Sequence, residues 1–310
     1  MSKQELEWLE PKTPNKIVDE VVDKYRIEKF YVLFSGGKDS VCVAHFIATN
    51  YPERFAGCVF TNTGMAVPET RKFVISYCKE MGWKLWMTWP EDGERYIDIT
   101  KKFGFARQGN HRLIMGYLKF HCWHKFMKWR LSLGEIACFI SGVRKKESMI
   151  RNKFRLYTKK PLDSYGRLKF LKPFLYKNGT QLWQYFNEYL LKKTPVYEWL
   201  NKSGECECGS FTEPWELQML KKYCPFIYDT IKWLEIQIKK IINKLETYLI
   251  PKAKKQHKPI RELKLQLYHL KNHSTWGGRG STTEDISKQS VFEDFKVNED
   301  YCGESCMVNS

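Results

Sequence analysis

Six consecutive residues, Ser35-Gly36-Gly37-Lys38-Asp39-Ser40, carry the strongest chemical signal in the sequence. They follow an apolar run, Lys29-Phe-Tyr-Val-Leu-Phe34, and open a helical pattern over Asp39–Asn50. The two glycines permit positive φ and close backbone approach, so successive N–H groups can form an anion nest at a helix N-terminus. Ser35, Lys38 and Ser40 add side-chain donors. Asp39 is placed either to stabilise the first helical turn or to stand near a magnesium ion. The string reads as a pyrophosphate cradle.

Two further polar segments follow apolar runs. Asn62-Thr63-Gly64 leads into Pro68-Glu69-Thr70 after Phe55–Phe60, and Gly142-Val-Arg144-Lys-Lys-Glu147-Ser148 comes after Glu135–Ile140. Glu69 and Thr70 suit either helix capping or ligand contact. Arg144, at a strand end, can grip a phosphate or sulfate with two parallel hydrogen bonds. Arg151 and Arg155 either extend that grip or form a solvated basic face.

Ten cysteines are present without a secretory pattern at the N-terminus, so reduced thiols, metal or sulfur chemistry are expected rather than a disulfide framework. Cys42, Cys58, Cys78 and Cys138 lie in apolar patterns and read as core. Cys206-Glu-Cys208 is a chelating pair. Cys122 is its natural third partner and Cys224 its fourth, with Cys302 and Cys306 as an alternative pair. Three readings stand: an iron–sulfur cluster such as [4Fe-4S] or a zinc site, redox-active or sulfur-carrying thiols, and structural cysteines. His111, His121 and His124 surround Cys122, as packing or phosphate contacts or in a metal or general-base role. Trp83, Trp86, Trp89, Trp123 and Trp129 read as core, with base stacking as the functional alternative.

These groups need a scaffold. Strands over 29–34, 55–60, 83–88 and 135–140 alternate with helices over 39–50 and 68–81, which argues for a parallel sheet covered on both faces. Ligands of such sheets bind beyond the carboxyl ends of the strands, where the polar segments fall. The expected organisation is an α/β nucleotide-binding domain over 1–172, a cysteine-containing subdomain over 173–225, and a helical extension with an acidic tail over 226–310. A hinge is expected over Pro251–Pro259.

The chain has 310 residues with a net charge of +17, and 43% of it is apolar, which excludes a disordered chain. No run approaches the roughly 20 apolar residues of a membrane span, so no membrane partner and a cytoplasmic location are expected. Residues 112–172 carry 16 basic against 3 acidic side chains, and 229–273 carry 11 against 4. Such blocks point to a polyanion, or to a merely lysine-rich surface.

The Ser35–Ser40 string resembles the PP-loop of the adenine-nucleotide α-hydrolase superfamily, whose members share a five-stranded parallel sheet. The segments at 62–70 and 142–148 resemble those of the phosphoadenosine phosphosulfate (PAPS) reductase-like branch, over roughly residues 25–225. The resemblance implies that Ser35, Gly36, Gly37, Lys38, Asp39, Ser40, Thr63, Gly64, Glu69, Lys125, Arg144 and Ser148 bind an adenine nucleotide. It favours ATP with magnesium, because the lysine–aspartate pair is intact where PAPS reductases proper carry a degenerate loop. Lys38, Asp39, Arg144 and Cys208 are the catalytic candidates. The implied activity is sulfur transfer through cleavage of ATP between the α and β phosphates and adenylation of an acceptor. That acceptor would be a nucleic acid (tRNA or DNA), with a sulfur-donor protein as partner. The alternatives are a sulfonucleotide reductase attacking through Cys208, and a non-catalytic nucleotide- or nucleic-acid-binding subunit.

Overall fold

The computed structural model describes residues 13–107, 109–145, 162–165, 168–210 and 212–277. Helix α1 (Pro14–Tyr25) starts on Thr13, whose hydroxyl accepts from the Lys16 N–H, and stops where Arg26 turns left-handed. The chain then enters β1 (Lys29–Leu33), α2 (Lys38–Asn50), β2 (Phe55–Thr61), α3 (Pro68–Glu80) and β3 (Leu85–Thr88). Helix α4 (Tyr96–Phe103) follows. A long helical run comes next, made of α5 (His111–Met115), a π turn (Gly116–Phe120) and α6 (His121–Ser132). It leads into β4 (Ala137–Ile140), β5 (Leu162–Tyr165) and β6 (Leu168–Leu171).

The sheet has six strands in the order β3-β2-β1-β4-β6-β5. Five run parallel, as expected, and β5 adds an antiparallel edge by a hairpin to β6. The strand order reverses between β1 and β4. That is the switch point at which ligands of open α/β sheets bind, and the loops leaving β1 and β4 carry Ser35–Ser40 and Gly142–Arg144.

Apolar side chains fill both faces. On one, Ile17, Val21, Val41, Phe46, Phe60, Val74 and Ile140 pack together with the buried thiols Cys42, Cys58, Cys78 and Cys138. On the other, Tyr31, Trp86, Trp123, Phe126 and Phe139 form an aromatic layer. Trp86 and Trp123 are therefore core, and the Trp123 indole N–H donates to Thr61 Oγ1 at 2.9 Å.

Beyond the sheet lie α7 (Gly179–Glu188), α8 (Tyr197–Leu200), α9 (Pro214–Tyr223) and α10 (Pro225–Lys244). A π turn (Leu245–Leu249), α11 (Ile250–Lys255) and α12 (Arg261–Asn272) complete the described chain. Ile227, Ile231, Leu234 and Ile238 recur at helical spacing along α10 and join Ile99, Leu220, Leu245 and Leu270 in a further core. The break expected over Pro251–Pro259 is found at 256–260, and helix continues through Lys255, past Pro251. The reason is the π turn immediately before it, which opens the hydrogen-bond ladder that a proline ring would otherwise clash with. Among the described residues no helix is long and apolar enough to cross a membrane.

Candidate nucleotide and thiol site

The loop leaving β1 folds as a closed set of short bonds. Gly36 turns at φ +71°, a value that favours glycine. Ser40 Oγ donates to the Gly37 carbonyl at 2.8 Å and accepts from the Ser35 N–H at 3.2 Å, while Ser35 Oγ accepts from the Gly37 N–H at 3.3 Å. Helix α2 starts at Gly37 with no side-chain cap, so its first-turn N–H groups point to the mouth of the loop with the positive end of the helix dipole.

Two cations converge there on Asp39. Lys38 Nζ stands 2.7 Å from Asp39 Oδ1, and Arg144 reaches Oδ2 through Nε at 3.0 Å and Nη2 at 2.9 Å. Lys38 and Arg144 are buried although charged. The Lys38 ammonium also lies 5.0 Å from the Trp183 ring centre on α7. The structure thus joins Lys38, Asp39 and Arg144 across the switch point. Asp39 offers one carboxylate, which suits a magnesium ion held mostly by nucleotide phosphates and water.

The 62–70 segment carries the second half of the site. Thr63 is buried, and its hydroxyl accepts from the Met65 N–H. Glu69 lies in the first turn of α3 but does not cap it: the N-cap is Val67, with no side-chain bond. Thr70 is buried, with its hydroxyl donating to the Ser203 carbonyl and paired with Thr194 Oγ1.

Those bonds attach the cysteine loop. The Val67 N–H donates to the Gly204 carbonyl at 2.8 Å, and the Glu207 N–H donates to the Met65 carbonyl at 2.8 Å. Gly204 takes φ +65°, and a Cβ there would lie 2.9 Å from both Val67 and Val196, so both backbone and space require glycine. On the far side, Tyr96 Oη donates to the Cys208 carbonyl at 2.9 Å and Trp276 Nε1 to the Glu207 carbonyl at 3.0 Å.

Cys206 is half-buried and Cys208 buried. Their thiols hydrogen-bond each other, and the bond splits their acidities. The Cys206 S–H and a donor from His111 hold Cys208 well below the usual thiol range, whereas the same bond pushes Cys206 up. The Thr63 hydroxyl also acts on Cys206, which places this sulfur toward the 62–70 segment. His111 is fixed by its Nδ1 contact to Ser210 Oγ at 2.9 Å.

Lys119 escaped the sequence reading. It sits in the π turn, a local widening frequent at functional sites. The residue is buried and pairs with Glu205 at 2.7 Å. Burial alone would lower its pKa; the Glu205 carboxylate and the Cys206 sulfur outweigh burial and push it up to about 12. The only hint in the sequence was a lysine inside an apolar helix face, Ile114-Met-Gly-Tyr-Leu-Lys119-Phe.

Other candidates lie elsewhere. Lys125 pairs with Glu91, and His121 Nδ1 contacts Glu94 at 2.8 Å. Cys122 Sγ bonds the Leu118 carbonyl and Cys224 is buried among the C-terminal helices. Among the described residues no three His, Cys, Asp or Glu side chains stand together as a metal ion requires. Cys122 and Cys224 therefore do not complete a four-sulfur set with Cys206 and Cys208. Ser148, Arg151, Arg155, Cys302 and Cys306 lie outside the described residues.

Glu207, between the two cysteines, is buried. Lys202 Nζ approaches its Oε2 to 2.8 Å, at an angle that gives neither carboxylate oxygen a formed hydrogen bond, and Lys202 also pairs with Glu216. Burial therefore wins over Lys202, and the carboxyl rises from 4.5 to about 6. A carboxyl raised in the fold favours folding below its unfolded pKa and loses that contribution as pH rises through the folded value. Stability should fall by roughly 2 kcal/mol through this group between the two pKa values. Urea unfolding across that window should show a steeper decline for the natural chain than for Glu207→Gln; identical slopes would refute the assignment.

The family model for the phosphoadenosine phosphosulfate reductase domain matches residues 29–203. No curated protein matches the chain. Similar solved structures include phosphoadenylyl-sulfate (PAPS) reductase from Candida auris in a phosphate complex, at 16% identity and TM-score 0.45, covering 64% of this chain and 92% of that one. The NH3-dependent NAD synthetase of Campylobacter jejuni is similar at 14% identity and TM-score 0.40, covering 84% and 91%. FMN adenylyltransferase of Candida glabrata, with FMN and an ATP analogue, shows 12% identity and TM-score 0.40 over 61% and 59%.

Proposed function

The chain belongs to the phosphoadenosine phosphosulfate reductase domain family, and from that membership we propose that it is an adenine-nucleotide-dependent enzyme of sulfur transfer. The observation that carries the reading is the attachment of the cysteine loop to the nucleotide segment, through Val67–Gly204, Met65–Glu207 and the Thr63–Cys206 contact. Sulfur chemistry and a phosphate cradle then share one end of the sheet.

In this reading the 35–40 loop and the N-terminus of α2 bind the β- and γ-phosphates of ATP. Magnesium, held by Asp39 and phosphate oxygens, would supply charge neutralisation when bound. Arg144 moves its two donors from Asp39 to the α-phosphate, where charge grows as the acceptor oxygen attacks and pyrophosphate leaves. Lys38 holds the leaving pyrophosphate. The outer sulfur of a persulfide on Cys206, the thiol nearest the nucleotide segment, would then attack the adenylated acceptor and expel AMP, and a second thiol would break the S–S bond, leaving sulfur on the acceptor and a disulfide on the protein. The basic stretch over 112–172 favours a nucleic-acid acceptor, and a protein persulfide donor would load the sulfur onto Cys206.

A second reading has support in the same thiols. With a sulfonucleotide in the cradle, a cysteine thiolate would attack its sulfur and release a nucleotide. One experiment separates the readings. The anaerobic chain is given labelled ATP, magnesium and total cellular nucleic acid, and in parallel adenosine phosphosulfate or its 3′-phosphate. AMP with pyrophosphate supports the transferase and sulfite supports the reductase. Nucleotide binding without either product refutes turnover and leaves a binding subunit. Retention of nucleic acid that does not weaken with salt, or no retention, refutes the nucleic-acid acceptor.

A further inference from the structure

The C-terminal helices carry a solvent face that no step of the reaction above uses. Three large rings stand open on it. Tyr223, at the end of α9, is 44% exposed, and Phe226 and Trp233 on α10 are 70% and 42% exposed. Phe226, Trp233 and the exposed Lys240 recur every seven residues and so share one stripe of α10, whereas Ile227, Ile231, Leu234 and Ile238 line its buried side. Lysines lie against the rings: Lys101 Nζ, from α4, is 4.8 Å from the Trp233 ring centre, and Lys222 Nζ is 4.7 Å from that of Tyr223. The cations of α5–α6 are disposed differently, with Lys119, Lys125 and Arg130 facing the carboxylates of Glu205, Glu91 and Glu135. On α10, Asp229 is an exposed acid, and Glu235 is engaged by Lys232 and the Trp276 N–H. The face abuts the nucleotide loop. Tyr223 stacks on Trp199 of α8 with ring centres 5.1 Å apart, and the Tyr197 hydroxyl on the same helix lies 3.0 Å from where a Cβ on Gly37 would stand.

We propose that the α9–α10 face binds single-stranded nucleic acid, with unpaired bases stacked on Tyr223, Phe226 and Trp233 and phosphates held by Lys101, Lys222 and Lys240. This deepens the sulfur-transfer reading and rests on it for the fate of the strand alone: the face leads the acceptor past α8 to the nucleotide loop. Charge complementarity favours a polyanion, since residues 229–273 hold 11 basic against 4 acidic side chains. The rings favour a single strand. A base lies flat on an exposed ring only once it has left its duplex, and stacking accepts every base because each has a π face. A duplex held through its phosphates would use the lysines and leave the rings in water. A protein interface is depleted of lysine at its apolar centre, where here ammonium groups stand against the rings. In the free protein each ring keeps its lysine in place. A bound strand exchanges that weaker contact for a base on the ring and a phosphate on the ammonium.

The test uses the full chain without nucleotide. Fluorescence anisotropy follows its binding to labelled oligothymidylate and oligouridylate of about 20 nucleotides, and to a duplex of equal length, over a range of salt. One or both single strands should bind at least about tenfold more tightly than the duplex. Phe226→Ala and Trp233→Ala should each weaken single-strand binding by roughly tenfold with no change in the slope of log affinity against log salt, and Trp233→Phe should restore most of the loss. Lys101→Gln with Lys240→Gln should instead lower that slope by about 1.4, because each phosphate contact on a single strand contributes roughly 0.7. A thermal melt of each variant controls for folding. Duplex binding equal to or tighter than that of both single strands, or no binding at all, would overturn the proposal. Single-strand affinity unchanged in both alanine variants would also overturn it, and would leave a nucleic-acid acceptor to another surface. A dimer in sedimentation that Phe226→Ala dissociates, with strand binding untouched, would assign the face to a second copy instead. AMP, pyrophosphate and sulfite are assayed separately; their absence removes the sulfur-transfer reading and leaves the strand-binding face standing.

Discussion

Replacing Lys38 by methionine should reduce nucleotide turnover by about two to three orders of magnitude while leaving the fold intact. Methionine keeps the stem that packs beside Trp183 and deletes only the ammonium. That ammonium is 2.7 Å from Asp39 and shares the carboxylate with Arg144. In the proposed transferase its loss would leave the departing pyrophosphate without a fixed counter-charge, and removal of one such preorganised donor costs about 3–4 kcal/mol of transition-state stabilisation. Release of AMP and pyrophosphate, or of sulfite if the sulfonucleotide is the substrate, measures the effect, and a thermal melt of each protein controls for folding. A variant that retains turnover with an unchanged melt would place the phosphates away from this loop. A fall in kcat with unchanged KM would assign the ammonium to the transition state, and a rise in KM alone to binding.

That loop was legible because its chemistry is contiguous. Six neighbours in sequence make the nest, and the flanking apolar run and helical pattern supply its strand and helix. Arg144 was legible for a related reason, as a cation at the end of an apolar run. Lys119 was not, because what makes it a site residue is distance in sequence: its partner Glu205 lies 86 positions away. The π turn that carries it also leaves no composition mark. The cysteines show the opposite failure. Spacing alone gathers Cys122 and Cys224 with the Cys206–Cys208 pair, whereas the fold commits Cys122 to its own helix carbonyl and Cys224 to an apolar core. Strand β6 and the edge strand β5 were missed because Leu168-Lys-Phe-Leu171 is short and lies in the most basic stretch of the chain, and its β character comes from pairing with β4. Capping stood beside ligand contact as a reading of Glu69 because it stands in a first turn. The backbone at Val67 begins that helix without a side-chain partner, while Thr70 is drawn inward to Ser203.

Gly142→Ala should disable nucleotide binding without touching any charged group. Gly142 lies two residues past the end of β4 and packs on the first turn of α2. A Cβ there would lie 2.8 Å from the Asp39 carbonyl oxygen, 2.9 Å from its carbon and 3.2 Å from the Ser40 nitrogen. These are backbone atoms, so no side chain can swing away. Either β4 or the first turn of α2 must shift by several tenths of an ångström, and the shift falls on the N–H groups that form the anion nest. Overpacking of this kind costs about 1–3 kcal/mol. Part should appear as a lower melting temperature and part as nucleotide affinity reduced by roughly tenfold or more. Calorimetric titration of ATP or the sulfonucleotide reads the second effect. Arg144→Ala is the complement: it removes the charge two residues on and leaves the contact of Gly142 with Asp39 and Ser40 undisturbed. If Gly142→Ala binds as tightly as the natural chain while Arg144→Ala does not, side-chain charge alone holds the phosphates and the backbone nest is dispensable. If both lose affinity, and magnesium restores neither, the cradle works as a unit in which the strand end fixes the helix and the helix fixes the anion.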